Sequence, residues 1–385
     1  MRDEAPKKPN ILLRLLALVV TAALVLGALV LVVYRDKLNV DALERWLTAR
    51  QIETDQSGQP APFTYAGGDM LRAAFLEKGV LFSSAAGAHY YALSGQLYAE
   101  QVVDMDSPVL SACAKAGVVY DAGEDSLYLF RGGQQTLELT LDGDADILSA
   151  RPNDAGWLAV TAQQSGYKGA VTVYDAQGEK AIQISLSSTF VVDAALSPNS
   201  KSVAVVTISQ SGGIFDSQVL FYPTNKTEPS ARIDLGNLVV LDMDYESDRL
   251  WLVCSDRVVT LDPDSGDVCS YPFGHRYLKG YSLEGDGFAM LLLSSYSSGS
   301  ADEAVTLDPD CGRLARMSLS GQILDFDCAG PYAAILTGGD LTVYDRVLST
   351  QFRLDDTAGA RYTALRQDGC AVLADRQQCW FYIPD

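Results

Sequence analysis

Histidine is nearly absent from the chain: His89 and His275 are the only two in 385 residues. A zinc cluster built mainly on imidazole is thereby excluded, and neither histidine has a G-x-S-x-G nucleophile to serve. Basic residues are also short. Lys and Arg total 29 against 49 Asp and Glu, for a formal net charge of −20 and a pI near 4.4. Such a chain lacks the basic face that a nucleic-acid partner needs, so none is expected. The seven cysteines contain no C-x-x-C pair and are odd in number, so the ligand spacing of a structural metal site is missing. A quinone-dependent active site requires a dense ligand set that is likewise not seen, and no cofactor is expected.

What the chain does have is apolar substance. Hydrophobic residues make up 48% and charged residues 20%, enough for a real core and too apolar for global disorder. Leu15 to Val33 is a run of 19 uncharged residues with seven Leu and six Val. As a helix it reaches roughly 28 Å, the thickness of a bilayer's hydrocarbon. A signal peptide has a shorter apolar stretch followed by a small-x-small site; here Val32-Val33-Tyr34-Arg35 follows, so an uncleaved anchor is expected. Residues 1–14 form a short cytoplasmic tail, 15–34 the transmembrane helix, 35–61 a stalk, and 62–385 the working domain. Arg2, Lys7, Lys8 and Arg14 before the span balance Arg35, Lys37, Arg45 and Arg50 after it. Orientation therefore rests on the bulk of the chain: a single-pass protein of the cell membrane with an extracytoplasmic domain. The first 35 residues carry a formal +3, which leaves −23 for the rest.

In the stalk, Leu43, Trp46 and Leu47 share one face of a short helix capped by Asp41, suited to lying on the membrane or docking under the domain. Residues 51–61 read as a polar linker.

Beyond residue 62 the chain repeats. Inner segments such as Ile147-Leu-Ser, Val192-Asp-Ala, Val240-Leu-Asp and Ile323-Leu-Asp recur with their third positions at 73, 111, 149, 194, 242, 281, 325 and 363, spaced 38 to 48 residues apart. That interval fits a four-stranded blade. Second strands are continuous apolar runs (Val203–Thr207, Leu250–Cys254), as burial between stacked blades demands. Third strands alternate and end on Asp175, Asp262, Asp308 or Asp345, a turn-starting residue. The fold expected is an all-β, eight-bladed β-propeller behind an N-terminal transmembrane helix, with seven blades as the alternative. The last unit supplies three strands, so Pro62–Ala66 is expected to close the ring beside Trp380–Ile383.

Leu196-Ser-Pro-Asn-Ser-Lys resembles the inner turn of WD40-like and TolB-like propellers. Leu261-Asp-Pro-Asp-Ser-Gly and Leu307-Asp-Pro-Asp-Cys-Gly resemble the turn of quinoprotein-like repeats, although the Trp-Asp dipeptide does not occur. One span, a short Leu/Trp helix and an acidic propeller together resemble domain-of-unknown-function family 5711, a family of clostridial membrane-anchored propellers. The resemblance implies the fold and no activity.

Function is expected on long second-to-third-strand loops, 163–169, 209–216 and 294–303. Tyr167, Phe215 and Tyr296 offer stacking surfaces there; Lys168, Asp216, Asp302 and Glu303 offer polar contacts. The expected role is binding of a protein, peptide or cell-wall glycan on that face. The alternatives are an extracytoplasmic enzyme of quinoprotein-like or glycan-cleaving type, or a structural partner of another membrane protein. Scarce histidine and the lack of clustered carboxylates at any repeated position weigh against the enzyme. Converging Asp or Glu side chains with raised pKa values in a central pocket would favour it. Cys370 and Cys379 fall on neighbouring predicted strands and are placed to bridge, unless the cysteines are simply small buried apolar residues. Asp142–Asp146 and Asp262–Asp267 resemble fragments of calcium loops but read better as turns. Asn225-Lys-Thr227 is a glycosylation sequon that matters only in a eukaryotic secretory pathway.

Overall fold

The computed structural model describes residues 18–21, 40–50, 52, 61–68, 71–143 and 145–384. The expected span lies outside these residues except for the helical turn 18–21, and so does most of the 51–61 linker. Among the described residues no helix is long and apolar enough to cross a membrane.

The strands form eight separate antiparallel four-stranded sheets. Inner strands run Arg72–Leu76, Pro108–Ala112, Ile147–Pro152, Phe190–Leu196, Val240–Glu246, Tyr277–Gly285, Ile323–Ala329 and Tyr362–Leu365, and define blades 1 to 8. Every third position read from the repeats lies on one of them. Second strands are buried on both faces, as in Gly79–Ser84 and Phe288–Ser294, because each blade is sandwiched between two others. Outer strands alternate in exposure, as in Gln134–Thr140 and Val268–Pro272, where one face meets water.

Eight apolar clusters hold the blades together, and each draws residues from two neighbours. At the seam of blades 4 and 5, Val206 and Phe221 meet Met243 and Leu252. The seam of blades 8 and 1 joins Phe381 and Val372 to Phe82 and Val80, so the ring is closed. The fourth strand of blade 8 is Phe63–Thr64, as expected, although its register sets Phe63 against Cys379 and Thr64 against Gln378, one step short of the predicted Trp380–Ile383. Phe63 packs on Tyr91 and Phe381 with ring centres 5.5 and 5.9 Å apart. Tyr65 adds a hydroxyl bond to the Asp375 carbonyl.

Third strands turn as their terminal aspartates direct. Asp308 accepts amide hydrogens from Asp310 and Gly312 at 3.0 and 2.7 Å, and Asp345 does the same for Val347 and Ser349. Asp262 accepts from Asp264 and Ser265, so this calcium-like fragment is a turn. Asp144 of the other fragment lies outside the described residues. The cysteines are all free. The bridge between Cys370 and Cys379 is not formed because the hairpin sets Ala374, not Cys370, opposite Cys379. Cys370 sits at the far end of that hairpin, beside Asp368.

Of the two placements expected for the stalk helix, on the membrane or under the domain, the contacts show docking on the domain. The helix Val40–Ala49 docks at the seam of blades 7 and 8. Arg45 donates to the Asp368 carbonyl at 2.7 Å and lies over the Phe352 ring, and Asp41 accepts from the Tyr332 hydroxyl at 2.8 Å. Ile52 is buried in the cluster between blades 8 and 1.

Candidate functional site

Strand directions give the ring two faces. Links between blades and second-to-third-strand loops share one face, here called the top; the other turns form the bottom. In blades 3 to 7 the inner strand carries a β-bulge just below its top end, at Leu148, Val192, Leu241, Lys279 and Leu324. A bulge re-aims the residues around it. Above, it turns apolar residues outward: Leu148, Phe190, Leu241 (56% exposed) and Tyr277 crown blades 3 to 6. Below, it directs acids toward the ring axis.

The loops rise around this crown. Tyr167 and Lys168, with Gln163, Leu148, Phe190 and Val191, line a cavity of about 380 Å³ between blades 3 and 4. Lys168 donates to the Ser188 carbonyl at 2.9 Å, and its ammonium sits 4.9 Å from the centre of the Phe190 ring. The expected 209–216 loop is instead an extension of the hairpin Ser202–Ser211 and Ile214–Pro223, turned by Gly212 and Gly213 at positive φ. It lifts Ile214 (66% exposed) and Phe215 above the face. Asp216 stands lower, with its carboxylate 3.4 Å from the Gln218 amide. Tyr296 is 72% exposed on blade 6. The acids of that loop are engaged within the protein. Asp302 accepts from the Ser295 amide and pairs with Arg276, which together hold it below the usual carboxylate range against the opposing effect of burial. Glu303 is buried between Arg276 (2.8 Å) and Arg316 (3.1 Å). A second cavity, about 450 Å³ and lined by Ala181–Gln183 and Asn225–Glu228, lies on the outer rim at the sequon.

The axis holds what sequence reading missed. Arg151 of blade 3 bonds Asp193 of blade 4 at 3.0 Å through Nε and reaches across to Asp242 of blade 5. Contact between blades that are not neighbours places these groups in the central channel. Ser149 also donates to Asp193. Asp325 and Asp327 of blade 7 accept the Thr363 and Leu365 amides of blade 8 at 2.9 and 2.7 Å. These two blades belong to separate sheets, and the carboxylates satisfy amides that face the gap between them. Burial dominates the charge balance. It pushes Asp244 and Asp325 up to about 6 and Glu246 and Asp327 up to about 7, against the opposing pull of Arg151 on Asp244 and of backbone amides on the others. Glu284 is raised well above its ordinary value, first by burial and then by Asp327, Asp244 and Asp242, although the channel leaves it in contact with water. Carboxylates thus do cluster at the repeated inner positions. The signal was an acid at the third position of two repeats, Asp242 and Asp325, and one place before it in a third, Asp193; only ring closure brings those residues together. Among the described residues no group of three His, Cys, Asp or Glu side chains is placed to hold a metal.

A family model described as "Family of unknown function (DUF5711)" matches residues 67–261, just over half of the chain. No curated protein matches the sequence. Among solved structures, the C-terminal WD40 domain of Sif2 is similar with a TM-score of 0.59 at 12% identity, over 87% of this chain and 99% of that one. The computationally designed Ika8 protein is similar with a TM-score of 0.57 at 13% identity, over 83% and 98%. A eukaryotic initiation factor gives 0.54 at 10% identity, over 86% and 87%. At such identities the likeness establishes a WD40-like propeller fold.

Proposed function

The chain belongs to DUF5711, a family of unknown function, and from that premise we propose that it is a membrane-anchored, extracytoplasmic interaction module whose top face on blades 3 to 6 takes a protein or peptide. The observation that carries this reading is the crown of exposed Leu148, Phe190, Leu241, Tyr277 and Tyr296 with the raised Ile214–Phe215 tip. Large apolar side chains gathered on one sector of a soluble face mark interaction sites. The proteins whose propellers it resembles include WD40 domains, a scaffold that offers loops and a rim to a partner. A peptide suits the crown better than a wall glycan does. Aliphatic Leu148, Ile214 and Leu241 present no ring for a sugar to stack on and no hydrogen bond for its hydroxyls.

The test is a photo-crosslinking residue placed at Leu241 or Tyr296 of the full chain in cells. A discrete adduct is expected at both sites and not at Val347 on the bottom. Diffuse labelling equal at all three positions overturns the proposal. Within the crown, Phe190→Ala and Leu241→Asp are each expected to weaken the adduct-forming complex at least about tenfold, the loss of about 1.4 kcal/mol that a central anchor supplies.

A second reading, acid–base chemistry in the channel, is favoured by Asp244 and Glu284, whose raised affinities for protons suit general acids. The readings separate cleanly. The double variant Asp244→Asn, Glu284→Gln leaves crown adducts unchanged if the crown is the site and abolishes turnover of a substrate if the channel is.

A further inference from the structure

The helix Val40–Ala49 is docked the wrong way round for a helix that buries its apolar side. Arg45 is 4% exposed against the propeller, and Asp41 reaches the Tyr332 hydroxyl four residues earlier on the same face. Leu43 and Leu47, on the opposite face, are 57% and 47% exposed. The polar face grips the protein and the apolar face looks away from it. Water is a poor neighbour for that face, and something apolar must lie below it.

Two facts identify the occupant. The contacts of the helix, Tyr332, Phe352 and the turn at Asp368, place it on the bottom of blades 7 and 8, opposite the crown. The apolar run Leu15–Val33 ends only seven residues before Val40. Seven residues extend at most about 25 Å, so a chain anchored by that run holds the helix within that distance of the bilayer surface. We infer that Val40–Ala49 is an interfacial clasp: Asp41 and Arg45 fasten it to the propeller, while Leu43 and Leu47 enter the headgroup boundary of the membrane that anchors the chain. The propeller then rests bottom-down on lipid, its crown facing outward. This inference rests on the reading of Leu15–Val33 as a membrane anchor.

The test uses the full chain in phosphatidylcholine vesicles, with a nitroxide on Leu43→Cys, on Leu47→Cys one turn further, or on Ser298→Cys in a top loop. All three sites are exposed, so substitution leaves the fold intact, and near-ultraviolet circular dichroism checks that it has. The native thiols are mostly buried, and the unsubstituted chain gives their labelling background. Flotation with vesicles, greater accessibility to oxygen than to a water-soluble nickel chelate at 43 and 47, and the reverse ratio at 298 are the expected results. Flotation with nickel access dominant at 43 and 47 overturns the clasp and leaves the anchor standing. Exclusion of both reagents at 43 and 47 overturns it in favour of a second copy covering the helix. Failure to float overturns the anchor and the clasp together.

Discussion

Arg151 spans the channel between Asp193 and Asp242 and pairs with both carboxylates. Arg151→Ala is expected to destabilise the protein by about 3 kcal/mol in urea unfolding, the lower end of the range for breaking a buried pair, with Asp193→Asn restoring part of the loss. The unpaired acids act in the opposite sense. Asp244 takes up its proton more readily folded, at about 6, than the usual value of 3.8. Its favourable contribution is full below pH 3.8 and disappears as pH rises through 6. Asp368 is the counterweight. Burial raises it, but the Arg366 guanidinium and the Cys370 amide prevail and hold it below its ordinary value, so its contribution is lost as acid protonates it. Thermal melts from pH 3 to 8 should therefore show a maximum on the acid side of neutrality, and Asp244→Asn should flatten the decline between about pH 4 and 6. A melting temperature rising monotonically to pH 8 contradicts this balance. The acids were legible one by one in the sequence, but their meeting was not. Asp193, Asp242 and Asp325 each stand near the third position of a repeat, about forty residues apart, and no local pattern states that the ring axis collects them.

At the scale of elements, the sequence was most informative where period and turn chemistry agree. Asp308 and Asp345 announced the ends of third strands, and their carboxylates make the turns by binding amides two and four residues on. Asp308→Ala should cost about 1 kcal/mol through the loss of those bonds, read as a shift in the unfolding midpoint. Ser247 turns blade 5 at a φ of 50° while exposed. Ser247→Gly should raise stability by about 1 kcal/mol, since glycine enters that conformation without strain. The closing strand was readable from a deficit, three strands where four are needed. Its register was not, because a two-residue pairing carries too little alternation to fix it. Phe63→Ala should cost about 2–3 kcal/mol, less than a fully buried aromatic, since the ring is half-buried between Tyr91 and Phe381. The helix 40–49 was legible as amphipathic, but which face the domain holds was left open: hydrophobicity marks which face is apolar, not which face the protein grips.

For the whole molecule, spacing gave eight blades with seven as the alternative, and the eight sheets decide for eight. The boundary between stalk and propeller is where the sequence misled. A polar stretch at 51–61 reads as a linker, yet Arg45 before it and Ile52 within it contact the packed body. A fragment of residues 36–385 should melt higher than one of 61–385, which lacks the Arg45 and Ile52 contacts. Equal melting temperatures would show the docked segment to be energetically idle. The closing strand also imposes an order on synthesis. Residues 63 and 64 emerge from the ribosome early and must wait, with their backbone groups served only by water, while over three hundred further residues are translated before Gln378 and Cys379 exist to receive them. Individual blades are able to form from neighbours in sequence, but the circle cannot lock until the hairpin of residues 371–382 arrives, so the slowest folding step and the interval most exposed to chaperones and proteases fall together at its emergence.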